Sequence, residues 1–177
     1  MSAETDQLLD RQLTPMDPGI ATLPYVSGSF VASLASSYLM QRLGSYALTL
    51  GFGLQALGFF LLMLAVESML PDGGLIGLVA AGMGFGIIMP SVIKAVGGGV
   101  DLRRAALASG AVISALQIGS ALGIAIIGGV FYGALGAAQS STAYAHAFTL
   151  ALGCAVAVLI LGGALSTLVA KESRPTV

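Results

Sequence analysis

Residues 82–131 read GMGFGIIMPSVIKAVGGGVDLRRAALASGAVISALQIGSALGIAIIGGVF. Two long apolar runs meet at a short polar loop, Asp101-Leu102-Arg103-Arg104. Each run is long enough to cross a bilayer, which takes about 20 residues at about 1.5 Å rise. A water-soluble domain cannot bury two such runs economically, so the chain is expected to sit in a membrane. Composition agrees: 56% of the residues are hydrophobic and 8% are charged, against about 25% charged in an ordinary soluble domain.

The pattern predicts an all-α polytopic bundle of five membrane-spanning helices, at about 20–40, 46–66, 75–96, 105–132 and 147–169. The expected organisation is a polar tail over 1–19, a five-helix membrane bundle over 20–170 and a short tail over 171–177. Gly is abundant, at 25 residues. Small residues let helix backbones approach closely in lipid, where the hydrophobic effect no longer drives helices together.

Positive charge sorts the loops. Arg42 lies between the first two spans, Lys94, Arg103 and Arg104 lie around the third connection, and Lys171 and Arg174 follow the last span. The N-terminal tail and the other loops hold Glu4, Asp6, Asp10, Asp17, Glu67 and Asp72, with Arg11 their single Lys or Arg. Lys and Arg near span ends mark the cytoplasmic side. The N-terminus is therefore expected outside and the C-terminus in the cytoplasm, with Arg42, Lys94, Arg103 and Arg104 as cytoplasmic anchors. An exported acidic tail without a basic signal segment suggests that something once preceded it.

The chemistry that can be assembled is sparse. One His and one Cys, His146 and Cys154, argue against a metal cluster or a nucleophile–base pair, and Gly97-Gly98-Gly99 lacks the Lys-Ser/Thr of a phosphate loop. No enzyme, cofactor, metal or nucleic-acid partner is expected. Gln117, with Ser114 and Ser120 a turn to either side, and Gln55 are the polar groups set deep in spans. Such groups line a substrate path or bond between helices. Pro90 with Gly82, Gly84 and Gly86 reads either as a hinge or as a fixed kink with close packing. Gly119 with Gly123, and Gly129 with Gly133, have the small-xxx-small spacing of packed membrane helices. The interior of the spans carries no Asp or Glu, the usual proton-relay groups of pumps.

Taken as a set, several stretches resemble the C-terminal part of a major facilitator superfamily transporter, in the fourteen-helix drug:proton antiporter branch. Thr14-Pro15-Met16-Asp17-Pro18-Gly19-Ile20-Ala21-Thr22-Leu23-Pro24 resembles the start of that family's eighth core helix. Gly82-x-Gly84-x-Gly86-x3-Pro90 resembles the glycine-rich tenth. Arg103-Arg104-Ala105-x3-Ser109-Gly110, followed by Gln117-Ile118-Gly119-x3-Gly123, resembles the eleventh. The loop Ser37-Tyr38-Leu39-Met40-Gln41-Arg42-Leu43-Gly44 keeps the family's leucine, arginine and second glycine but not its acid. Ile113 and Leu116 stand where the family often has Asn and Arg. The resemblance implies core helices eight to twelve, a partial C-terminal half. It implies a truncated efflux-type transporter of small organic solutes in the bacterial cytoplasmic (plasma) membrane, not competent alone. Its expected partners are the bilayer and the missing half. The alternatives are an interaction protein packing on a full-length transporter, or a homo-oligomeric minimal transporter.

Overall fold

The computed structural model describes residues 17–44, 46–68, 71–97, 105–136 and 140–172. These form five helices: α1 (Asp17–Leu43), α2 (Tyr46–Ser68), α3 (Pro71–Gly97), α4 (Ala105–Leu135) and α5 (Ser141–Glu172). There is no strand among the described residues. Most of the polar tail, Arg103 and Arg104, and the last five residues lie outside them.

The helices run past several expected span ends. Pro71 through Gly74, expected in a loop, open α3. Proline suits a first helical turn, where no intrahelical donor is needed. The anticipated long loop over 133–146 is shorter, because α4 continues to Leu135 and α5 starts at Ser141. The Ser140 hydroxyl accepts a hydrogen bond from the Ala143 N–H at 3.2 Å, the geometry of an N-cap. At the other kind of terminus, Gly44 and Gly136 take positive φ, 57° and 54°. Their N–H groups donate back to the carbonyls of Met40 (2.9 Å) and Tyr132 (3.1 Å). This left-handed closure stops α1 and α4 and needs a residue without a Cβ.

α3 is the organising helix. It packs extensively against both α1 and α2, which barely touch each other. α2 packs its other side on α5, and α5 carries α4. α1 and α3 run parallel, since Tyr25 lies beside Gly82 and Ser29 beside Gly86. α2 and α3 run antiparallel, with Gly58 beside Gly77 and Ala81, and Gln55 beside Gly84. α2 and α5 are likewise antiparallel, with Phe52 against Gly162 and Thr49 bonded to Ser166.

Small residues dominate the core: Ala32, Ala47, Ala56, Ala81, Ala147 and Ala151 are buried with Ser36 and Ser91, and the large side chains among them are Ile87, Ile88, Leu135 and Leu152. Large apolar side chains such as Phe30, Leu34, Ile124 and Leu161 point outward. This inverts the arrangement of a water-soluble protein. It is what lipid permits, because an exposed leucine costs nothing in hydrocarbon and close backbone contact supplies the packing. Four helices contain segments long and apolar enough to cross a membrane: Tyr46–Glu67, Gly73–Lys94, Ser109–Leu135 and Thr142–Leu168. α1 falls outside that group. Its five serines, Ser27, Ser29, Ser33, Ser36 and Ser37, dilute its apolar character.

Candidate functional site

The α1–α3 seam is built on glycine. A Cβ placed on Gly82 would overlap the Tyr25 carbonyl oxygen, and one on Gly86 the Ser29 carbonyl oxygen. From the α1 side, a Cβ on Gly28 would stand 2.5 Å from the Val79 oxygen. Four-residue spacing puts Gly82 and Gly86 on one helix face. The opposite seam is read at a spacing of seven, about two turns. Gly77 and Gly84 of α3 meet Gly58 and Gln55 of α2. Gly82, Gly84 and Gly86 therefore all sit at backbone contacts, on two different seams.

Pro90 lies inside α3, which continues through it to Gly97. Proline leaves the carbonyl four residues earlier, that of Gly86, without its helical donor. One residue on, the buried Ser91 hydroxyl donates to the Ile87 carbonyl at 2.7 Å. Buried polar groups in these helices are satisfied locally or between helices. Ser36 donates to the Ser33 carbonyl at 2.6 Å, and Thr49 of α2 donates to the Ser166 hydroxyl of α5 at 3.3 Å.

Beside the α1–α3 seam the surface opens into a groove of about 530 Å³. Val26 and Phe30 form its α1 wall, and Phe85, Pro90 and Ile93 its α3 wall, with Lys94 at one end. A second depression, about 670 Å³, shares Val26 and Phe30 and continues toward Leu75 and Val79. Neither carries an acidic side chain.

The polar residues singled out from the sequence do not converge. Gln55 is half-buried on α2, whereas Ser114 and Gln117 are exposed on α4. Among the described residues α2 and α4 make no contact, and no single site joins the three. Ser120, one turn beyond Gln117, donates to the Leu116 carbonyl at 2.7 Å. Gly119, Gly123, Gly129 and Gly133 meet no atom within 4 Å. The helix contact expected of them is not made among the described residues, because α4 rests on α5 by another face. Across the core of the α4 span no residue is buried.

The charged anchors differ in setting. The Arg42 guanidinium stacks over the Tyr38 ring at 5.3 Å, a cation–π contact at the end of α1. Lys94 is exposed, one turn before the end of α3. His146 is exposed near the start of α5, and Cys154 is a free, half-buried thiol. No group of three metal-ligating side chains occurs among the described residues. The α4–α5 end carries an aromatic cluster, with Phe131 5.3 Å from Tyr132 and 6.4 Å from Tyr144 between ring centroids. Aromatic rings of this kind favour the membrane–water interface.

The sequence reading missed Gly28, Gly58 and Gly77 as contact residues, and the Thr49–Ser166 link. The seven-residue pairs Gly51/Gly58 and Gly77/Gly84 were a usable signal for the α2–α3 seam. Nothing in the sequence pairs Thr49 with Ser166 across 117 positions. Interhelical hydroxyl bonds in lipid are worth about 0.6–2 kcal/mol. A double-mutant cycle of Thr49→Val and Ser166→Ala, read by thermal unfolding in detergent, is expected to give a coupling in that range.

No family model matches the chain, and no solved structure matches it. Two curated proteins do. Over 167 residues, 86% of this chain, it is 32% identical to the puromycin resistance protein pur8 of Streptomyces alboniger. Over 117 residues, 63% of this chain, it is 30% identical to the probable actinorhodin transporter of Streptomyces coelicolor. The matched segments cover 33% and 20% of those proteins, so the chain spans a third or less of the relatives it matches. With four helices suited to crossing a bilayer, the chain is a multi-pass membrane protein similar to proteins named for antibiotic transport and resistance.

Proposed function

We propose that this chain is part of a membrane efflux transporter of the major facilitator type, and that it supplies most of one helical half. The observation that carries the reading is the match to the puromycin resistance protein along 86% of this chain. The fourteen-helix branch remains the placement favoured by the motifs quoted above.

All five helices cross the bilayer in this reading, α1 included. It is 27 residues long, about 40 Å at 1.5 Å per residue. It also lies parallel to α3 along a seam from Tyr25 to Ser29, so a bilayer that surrounds α3 surrounds α1. Its serines hide part of their polarity. Ser27 and Ser29 donate to the carbonyls of Pro24 (2.9 Å) and Val26 (2.8 Å).

The bundle is uneven in a way that fits a partial transporter. α3 fills the space between α1 and α2, whereas among the described residues none across the core of the α4 span is buried. Its exposed face carries Ser114 and Gln117, groups that are costly in hydrocarbon. In the assembled transporter this face meets protein or a wet solute path. Transport of a small organic solute then requires the complementary half, because facilitators hold substrate between two halves.

The proposed orientation places the N-terminus outside and the C-terminus in the cytoplasm of a bacterial cytoplasmic membrane. Single cysteines at Ser2 and Ser173, in a Cys154→Ala background, test it on intact cells with an impermeant thiol reagent. Labelling is expected at Ser2→Cys and absent at Ser173→Cys; the reverse pattern would invert the topology.

A further inference from the structure

We propose that the α1–α3 groove is a binding site for one acyl chain of an anionic phospholipid, with Lys94 taking the phosphate. This inference needs only a membrane-embedded chain and stands apart from the transport reading.

Shape is the first support. The groove is open along the flank of the bundle, and its walls are the apolar faces of Val26, Phe30, Phe85 and Ile93. Ser29 and Ser33 also line it; the Ser29 hydroxyl is already donated to the Val26 carbonyl, which leaves Ser33 as the one other hydroxyl on the wall. A flexible hydrocarbon chain therefore meets little unsatisfied polarity. Length is the second. From Phe85 to Lys94 the α3 wall rises nine residues, about 13.5 Å, close to half of a hydrocarbon core about 30 Å thick. The groove is thus one leaflet deep, and Val26 and Phe30, shared with the second depression, mark the middle of the bilayer.

Charge is the third support. Lys94 is the one ionic residue on the groove wall, and it stands at the end nearer the helix terminus. A lysine there extends its stem along the groove and its ammonium to the interface. The headgroup it complements is an anion at the depth where lipid phosphates lie. The second depression is as apolar but has no cation. The fold therefore predicts headgroup selection in one leaflet and none in the other.

The chain has no tryptophan, so one introduced indole reports locally. Phe30→Trp and Phe85→Trp place it in the Lys94 groove, Leu75→Trp in the second depression, and Leu161→Trp on the outward face of α5. Each full-length variant is reconstituted in phosphatidylcholine bilayers. A minor fraction of acyl-brominated phosphatidylglycerol or acyl-brominated phosphatidylcholine is then added as contact quencher. At Phe85→Trp, which lines the Lys94 groove and not the second depression, phosphatidylglycerol should be favoured about fivefold, the scale of one lysine at an anionic surface, with a smaller preference at the shared Phe30→Trp. Lys94→Gln should abolish the preference and Lys94→Arg should keep it. Leu75→Trp and Leu161→Trp should show none. Equal quenching by both lipids at the groove, or a preference that survives Lys94→Gln, overturns the proposal. So does a groove indole quenched by neither lipid while Leu161→Trp is quenched by both, since protein and not lipid would then cover the site.

Discussion

Leucine at Gly82 is expected to abolish the folded chain. Its Cβ would occupy the position of the Tyr25 carbonyl oxygen, and a helix backbone cannot move aside as a flexible side chain can. α1 and α3 would have to separate along their whole seam. Because α1 has almost no contact with α2, nothing else would hold it in place. Alanine at Gly82 should already cost about 1–3 kcal/mol, the usual scale of overpacking, and leucine more. Gly119→Leu is the matched control. It makes the same change of residue in a helix, with the same gain in helix propensity of roughly 1 kcal/mol, at a site with no atom within 4 Å. In detergent, Gly82→Leu should lose the monodisperse folded species, while Gly119→Leu should keep the parent's yield and unfold at or above the parent's temperature. Parent-like stability of Gly82→Leu would show that the α1–α3 seam is drawn too tightly.

That contrast also shows what the sequence could and could not convey. Small-xxx-small spacing occurs at Gly82/Gly86 and again at Gly119/Gly123. It makes a helix face smooth in both cases. It does not say whether another helix of the same chain lies against that face, which is a property of topology. The helices themselves were legible because long apolar runs interrupted by Arg, Asp, Pro and Gly allow little else. Their ends were less legible. Pro71 and Gly73-Gly74 read as loop by composition, but a proline is tolerated in a first turn. α1 is the ambiguous case in the opposite sense. Its serines lower its apolar character, and the hydrogen bonds from Ser27, Ser29 and Ser36 to backbone carbonyls that offset this appear only in three dimensions.

The candidate site was legible in pieces. Pro90 and the α3 glycines stood out by residue type; the glycines lie at close backbone contacts, and Pro90 lines the open groove beside them. Gln55, Ser114 and Gln117 stood out as polar groups in apolar runs, yet they fall on helices that do not touch. Depth along a span is visible in sequence, but rotation about the helix axis, which decides what a side chain faces, is much harder to read without a hydrophobic stripe. In membrane helices that stripe is weak, because lipid-facing and protein-facing sides are both apolar.

The second large effect concerns transport. The spans have no interior Asp or Glu to bind and release a proton, and the chain corresponds to a third or less of its relatives. Expressed alone, it is expected to insert in the membrane and export nothing. The most direct measurement is efflux of a fluorescent cationic dye from pump-deficient cells, with insertion verified in each arm. One arm expresses this chain alone. The other pairs it with the puromycin resistance protein shortened by the segment this chain matches. The account predicts no export from the first arm and uncoupler-sensitive export from the second. Export by the chain alone that collapses with an uncoupler and returns with an imposed pH gradient would contradict it, as would a silent paired arm in which both pieces are inserted.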